Sequence, residues 1–481
     1  MAAPDRELKA AIAATRFGLG ARPGEIAEAA RDPQGWLKSQ IRRDGADRPA
    51  TAPEPTAQRI ADLRDFQQQK REAKQDAAGS DGKSDPRMRD PVKLAQKMLR
   101  DDTQGDFLAR VQLATATEAG FRERWALFWT NHFTVAAKNL QTATIVGPYE
   151  SEAIRPHVFG RFIDLLDAVE THPAMMIYLD QVQSVGPNSE LAQRAGGRRF
   201  GGQLQPAFKR RELGLNENLA REIMELHTVG VHGGYAQADV TEFARAMTGL
   251  SIGGFRGPDG AIGTPVFRDA AHEPGMRTVM GVRYTQGGKA QAAAILGDLA
   301  QKPATARFIC GKLARHFVAD DPPPALTARL EKAWMSSGGD LARVAEALIE
   351  APEAWGAQPT KFKTPYEFIV SSYRAAGAQP QGFGQVGPLL TAMGQKPFDP
   401  GSPKGWSEEA DAWAAPDAIV KRMQFAQGFS AQAVQGRDPK ALAADALGAR
   451  LTTPTATAIA RSESRPEGFA LLLMSPEFQR R

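Results

Sequence analysis

The sequence predicts a mainly α, multi-helical protein built as one large domain. Two observations carry this. From Pro91 onward apolar residues recur at spacings of three and four, and the interruptions are Gly and Pro rather than alternating strands. At 481 residues the chain is long enough for a sizeable core, and with 42% hydrophobic and 24% charged residues its composition is that of a globular protein.

Residues 1–43 read as a helical entry module: two helices flank the turn Gly18 to Gly24, and Trp36, Leu37 and Ile41 are spaced for one buried face. Residues 44–90 read as a charged, partly disordered insertion, because Gln68 to Asp90 holds no aromatic and a single large apolar residue, Met88. The main helical domain is expected over 91–481. Within it, residues 250–288 break the helical pattern. There Phe255, Ile262, Val266, Phe267, Val279, Val282 and Tyr284 alternate with glycines and short turns, which predicts a small β excursion.

The formal charge of +5 is a small difference between 60 basic and 55 acidic residues, so the pI near 9.2 does not by itself argue for nucleic acid. The loop 192–211 is the local exception. It holds Arg194, Arg198, Arg199, Lys209, Arg210 and Arg211 among glycines and no acid, and it is a candidate seat for an anionic ligand. The single cysteine, Cys310, excludes an internal disulfide and a thiolate zinc cage. No apolar run approaches the roughly 20 residues a bilayer needs, and Met1 to Ala14 mixes acids and bases unlike a secretory leader. The expectation is a cytoplasmic protein, with periplasmic location by co-export with a partner as the alternative.

Several stretches carry a resemblance. They are Arg124 to Phe133 (RWALFWTNHF), Ile154 to Met175, Leu215 to His227 (LNENLAREIMELH), Gly233-Gly234-Tyr235 with Asp239-Val240, Lys312 to Phe317 (KLARHF), Ser402 to Trp406 (SPKGW) and Ser475 to Arg481. Together they resemble the bacterial "domain of unknown function 1800" family nearly end to end. The resemblance implies no established activity. Genes of that family often stand beside a second uncharacterised family with exported members, which implies a protein pair. Two positions depart from the family pattern. Ala236 replaces a hydroxyl that would cap the following helix, worth about 1 kcal/mol, and His272-Glu273 replaces a His-Asp pair.

The candidate chemistry lies on two neighbouring helices. Projected at about 100° per residue, Asn216 to Gly230 places Leu219, Ala220, Ile223, Leu226 and His227 on one face. Asn218, Glu222 and Glu225 fall on the other, with Arg221 beside them. The next helix, Asp239 to Thr248, buries Val240, Phe243, Ala244 and Met247 and presents Asp239, Glu242 and Arg245. A glycine-rich turn makes the two an antiparallel hairpin. Carboxylates at three-residue spacing suit a divalent metal or general acid–base work; alternatively Arg221, Glu222, Glu225, Glu242 and Arg245 pair as a structural network, whose loss in a Glu222→Gln, Glu225→Gln variant would unfold the protein. His227, about 140° from Glu222 on ideal helix geometry, reads as a core histidine with a satisfied hydrogen bond. His132, in an aromatic box with Trp125, Phe128 and Trp129, reads as core or as a tuned base.

No zinc, nucleotide or nucleophile-elbow motif is present. Lys361 to Pro365 and Pro403 to Trp406 read as helix-entry turns. The leading expectation is a binding or assembly protein acting with a partner protein. A hydrolase assisted by metal or carboxylates, with Glu222, Glu225, Glu242 and His132 meeting in one cleft, is the alternative, and polyanion or nucleic-acid binding through the basic loop is the third.

Overall fold

The computed structural model describes residues 4–79, 86–196, 214–254, 259–434 and 436–481. Helices dominate, and one apolar core runs from Ile12 to Phe478. The predicted entry module is part of it, since Ile12, Phe17, Leu19 and Leu37 are fully buried in that same core. Among the described residues no helix is long and apolar enough to cross a membrane.

The helix Gly120–His132 organises the interior. Trp125, Phe128, Trp129 and Phe121 are buried, and so are Arg122, Glu123, Arg124 and His132. Trp125 stacks on Phe159 at 5.9 Å, and Trp129 packs against Phe133 and Phe162. A helix enclosed on every side cannot send its charged residues to water, so each needs an internal partner brought from elsewhere in the chain.

Caps follow from the local sequence. Asp340 accepts from the N–H groups of Ala342 and Arg343 to start Leu341–Glu350, whose Leu341, Val344, Ala345, Leu348 and Ile349 face the core. Gln237–Met247 forms despite Ala236, because Asp239 reaches back to accept from the Ala236 N–H at 2.7 Å, and its stripe of Val240, Phe243, Ala244 and Met247 is buried as predicted.

Among the described residues the β excursion is two separate antiparallel hairpins: β1 (Leu250–Ile252) with β2 (Pro265–Phe267), Leu250 opposite Phe267, and β3 (Arg277–Val279) with β4 (Val282–Tyr284), Arg277 opposite Tyr284. Phe255 lies outside the described residues. Residues 68–79, expected to be disordered, instead continue the helix Thr56–Gly79, and a second helix begins at Pro86. Leu63, Phe66 and Leu99 of this pair make a small core of their own, and Gln68 bonds Glu72 one turn on. Ile60, Leu63 and Phe66 are enough to anchor the polar stretch that follows them. Residues 80–85 lie outside the described residues.

Among the described residues three stretches wind as π-helix: Ala13–Phe17, Glu150–Ile154 and Ile223–His227. Each carries a buried ionisable group, namely Arg16, Glu150 and His227. Such bulges place side chains off the regular helical face and occur often at functional positions.

Candidate functional site

The predicted hairpin forms, with Asn218–Glu222 packed on Gln237–Met247, but its charges do not meet as one network. Arg221 pairs with Glu217 at 3.0 Å and with Gln237 at 2.9 Å. Arg245 pairs with Glu242, whose other oxygen takes Arg277 at 3.2 Å. Glu222 and Glu225 have no ion-pair partner among the described residues, and burial raises the Glu222 carboxyl above its ordinary range. Among the described residues no group of three or more His, Cys, Asp or Glu is arranged to hold a metal ion. Arg194 pairs with Glu190; Arg198, Arg199, Lys209, Arg210 and Arg211 lie outside the described residues.

The π turn Ile223–His227 corrects the projection. Extra residues per turn swing His227 toward the Glu222 side. His227 is fully buried, as predicted, and its Nδ1 lies 2.7 Å from Glu170 Oε1, but its Nε2 has no partner. His132 also goes to a different place from the cleft expected of it. Its Nε2 lies 3.2 Å from the His227 carbonyl oxygen, so Nε2 carries the proton and Nδ1 is the acceptor for Lys312 Nζ at 2.9 Å. Burial, reinforced by the Lys312 charge, pushes the His132 imidazole well below its ordinary range. It is neutral and interior.

The site that does form is a cleft on the flank of Gly120–His132. Leu127, Val135, Val146, Tyr149, Phe398 and Trp406 give it apolar walls, and Arg110, Arg124, Asn131, Glu150, His316, Tyr366, Glu367 and Glu408 converge on it. One wall is a ladder. Arg110 pairs with Glu150 at 3.2 Å, Glu150 with Arg155 at 2.6 Å, and Arg155 with both oxygens of Glu123 at 2.8 Å. The Arg110 guanidinium lies over Tyr366, 4.9 Å from its ring centre.

The opposite wall is centred on Glu367. Thr364 and Glu367 form a capping box at the start of Pro365–Ala375, with Thr364 N–H donating to Glu367 Oε2 at 2.9 Å. That bond fixes the carboxylate so that Oε1 meets Arg124 and, at 2.9 Å, Arg481. Burial would raise this carboxyl, but Arg481 and Arg124 outweigh it and hold the group far below its ordinary range. Arg481 reaches the wall because 479–481 runs antiparallel to 361–363, and its Nη1 donates to the His316 carbonyl oxygen at 2.6 Å.

His316 itself sits 2.9 Å from both oxygens of Glu408 through Nδ1, while its Nε2 is buried and without a partner. Against burial, His316 and Lys361 hold Glu408 ionised, at about 2. Burial then lowers the imidazole in spite of Glu408, with Arg481 and Arg124 adding to the effect. The stable arrangement puts the proton on Nδ1 toward Glu408 and leaves Nε2 as a bare lone pair. The segment Pro403–Trp406 is not a helix entry. It is a turn clamped to Asn131, which accepts from Trp406 N–H at 2.7 Å and donates to the Trp406 carbonyl at 3.0 Å. Gly405 has φ +81°, and a Cβ there would overlap the Asn131 carbonyl oxygen.

Sequence reasoning missed this cleft, although its parts stood in stretches it had singled out: Arg124 and Asn131 in RWALFWTNHF, His316 in KLARHF, Trp406 in SPKGW and Arg481 in the closing segment. Glu367 carried a usable signal, the Thr-Pro-x-Glu capping pattern. Glu408, Arg110 and Glu150 carried none. Glu273, at the departure from the family pattern, is buried and accepts from both the backbone N–H and side-chain amide of Asn188.

The fold and site define a helical protein with one core and a cleft walled by buried, mutually oriented ionisable groups. The chain belongs to the family described as protein of unknown function (DUF1800), whose model matches residues 12–480. No curated protein and no solved structure matches it.

Proposed function

We propose that the chain acts on a small ligand bound in this cleft, with His316 taking a proton from the ligand or from water, as in hydrolysis. One observation carries the reading: an imidazole on the cleft wall, oriented by Glu408 at 2.9 Å, whose other ring nitrogen has no protein partner. A carboxylate that fixes one nitrogen as donor leaves the other as the base, and it stabilises the imidazolium once the proton has moved. The density of shifted ionisable groups at one concave site supports the same reading, because such clustering is characteristic of reacting centres. Glu408, Lys361 and Arg481 are positioning residues in this scheme, and His316 is the group that touches the reacting atom.

The test is a panel of chromogenic esters, amides, phosphoesters and glycosides offered to the wild-type chain and to His316→Gln. Turnover of at least one class that falls by about 10²–10⁴-fold in the variant, with an unchanged melting temperature, is the expected result. A variant as active as wild type on every substrate turned over sinks the reading.

A second reading, assembly with a partner protein, is favoured by the helix Pro416–Ala433. It exposes Val420 (52%) and Met423 (45%), together with the uncharged Gln424, Gln427, Gly428 and Ala431, and packs against the helix carrying the exposed Leu471. None of these residues lines the cleft.

A further inference from the structure

A group of cations beside the cleft has no anionic counterpart among the described residues. Lys312 and Arg315 stand three residues apart on the helix Pro303–Phe317, and His316 follows Lys312 by four, so Lys312 and His316 share a face. Lys404 belongs to the turn that Asn131 clamps, and Asn131 adjoins His132, the residue that holds the Lys312 amine. The clamp therefore carries Lys404 to the Lys312 side of the cleft, and the charges of Lys404 and Arg315 each disfavour the charged form of the Lys312 amine.

None of the three has a carboxylate within ion-pair distance among the described residues. The polar partner of Lys312 Nζ is a neutral imidazole nitrogen at 2.9 Å. Arg315 donates from Nε to the Asp320 backbone carbonyl at 3.1 Å, a bond that leaves its terminal nitrogens uncommitted. Lys404 is exposed. Glu408 is the acid whose charge reaches Lys312, but its two oxygens already face His316. Elsewhere in this interior each cation meets an oxygen: Arg155 has Glu123 and Glu150, Arg374 has both oxygens of Glu25 and Arg124 has Glu367, while Arg16, Arg422, Lys363 and Arg450 are held by carbonyl, amide or hydroxyl oxygens. Lys312 differs in having only an imidazole nitrogen as its hydrogen-bond partner, and a partly buried amine with no oxygen acceptor gains from an external negative charge.

We propose that Lys312, Lys404 and Arg315 seat an anionic group of the ligand, a carboxylate, sulfate or phosphate, beside the cleft, while the ligand's reacting atom lies at His316. The ligand is then an anion with a less polar body that follows the apolar walls. This rests on the reading of the cleft as the site of action and assigns it a substrate class.

The experiment uses the full chain, with inorganic phosphate, sulfate and acetate as probes, titrated at constant ionic strength against chloride. Two readouts are taken: the melting temperature, and the NMR titration of the Lys312 amine after reductive methylation with labelled formaldehyde. At least one probe is expected to raise both the melting temperature and the Lys312 titration midpoint, with a dissociation constant at least tenfold weaker in Lys404→Ala and in Lys312→Met. His316→Gln should bind the probe as wild type does. That variant separates the two claims, since loss of turnover with retained anion binding is a property of the cleft chemistry alone. No response to any probe, or equal responses in wild type and Lys404→Ala, overturns the proposal. Lys404→Ala is exposed and free of structural bonds, so it decides the matter even where Lys312→Met does not fold.

Discussion

The hairpin of Asn218–Glu222 and Gln237–Met247 and the cleft beside Gly120–His132 both gather arginines and carboxylates, yet they do different physical work. In the hairpin two pairs are local, Arg221 with Glu217 and Arg245 with Glu242, at spacings of four and three along one helix, and they are partly solvated; Glu242 adds one distant partner, Arg277. Such pairs are worth about 0.3–0.5 kcal/mol each. In the cleft the partners come from far apart in the chain: Glu367 joins Arg124 and Arg481, Glu408 joins His316, and Glu150 joins Arg110. There the charges are buried, and each is tolerable only while its partner is present. Proximity in sequence marks helix surface; proximity across the fold marks the place where the chain has committed energy to orienting groups.

The largest effect that would break this contrast is at Glu367. Glu367→Ala strands Arg124 and Arg481 together in the interior and is expected to cost about 3–5 kcal/mol, read as the shift in urea midpoint at constant m. A loss under 1 kcal/mol would make the cleft no different from the hairpin. Next are the two glycines that make the turns. Gly405→Ala meets both a left-handed φ of +81° and the Asn131 carbonyl, whereas Gly234→Ala has a φ of +83° but open space around it. We expect a loss above about 2 kcal/mol at Gly405 and about 1 kcal/mol at Gly234, measured by the same denaturation.

The pH dependence is of intermediate size. His132 and His316 are held below 6.5, so below that pH the unfolded chain takes up protons that the folded one refuses, and stability falls. Glu367 and Glu408 are held below 4.5, so the stability they contribute is full above that pH. It is lost as pH drops toward their folded values, about 2 for Glu408. Unfolding free energy against pH should therefore decline in two stages, and His132→Gln should shrink the upper one alone. The smallest effect is at the hairpin. Glu222→Gln with Glu225→Gln, which the pairing reading of the sequence expected to unfold the protein, is now expected to change stability by less than about 1 kcal/mol, because neither carboxylate holds a cation.

The helical class, the buried stripe of Gln237–Met247 and the β excursion were legible because each follows from spacing within a dozen residues. On the first hairpin helix Leu219, Ala220, Ile223 and His227 are buried as expected, but Leu226 is half-buried and Met224 takes a core place. Ala236 was read as a weakened cap and the helix formed anyway, through Asp239. The helix through 68–79 was illegible, since its anchor lies in Leu63, Phe66 and Leu99, upstream and downstream of the polar stretch. The winding around His227 was illegible for a different reason: it changes at Ile223, and a projection at constant angle has no means of registering a π turn, although His227 lies in the core as expected. The cleft was least legible. Arg124 and Glu367 are 243 residues apart, and nothing local to either marks the other as its partner.

The most direct test of the central claim is the protonation of His316 in the folded chain, read by ¹⁵N NMR of histidine-labelled protein with His316→Gln for assignment. The account predicts a neutral ring at pH 7 with the proton on Nδ1, a bare Nε2, and loss of that tautomer preference in Glu408→Gln. An imidazolium at pH 7, or a proton on Nε2 in the wild-type chain, would contradict it.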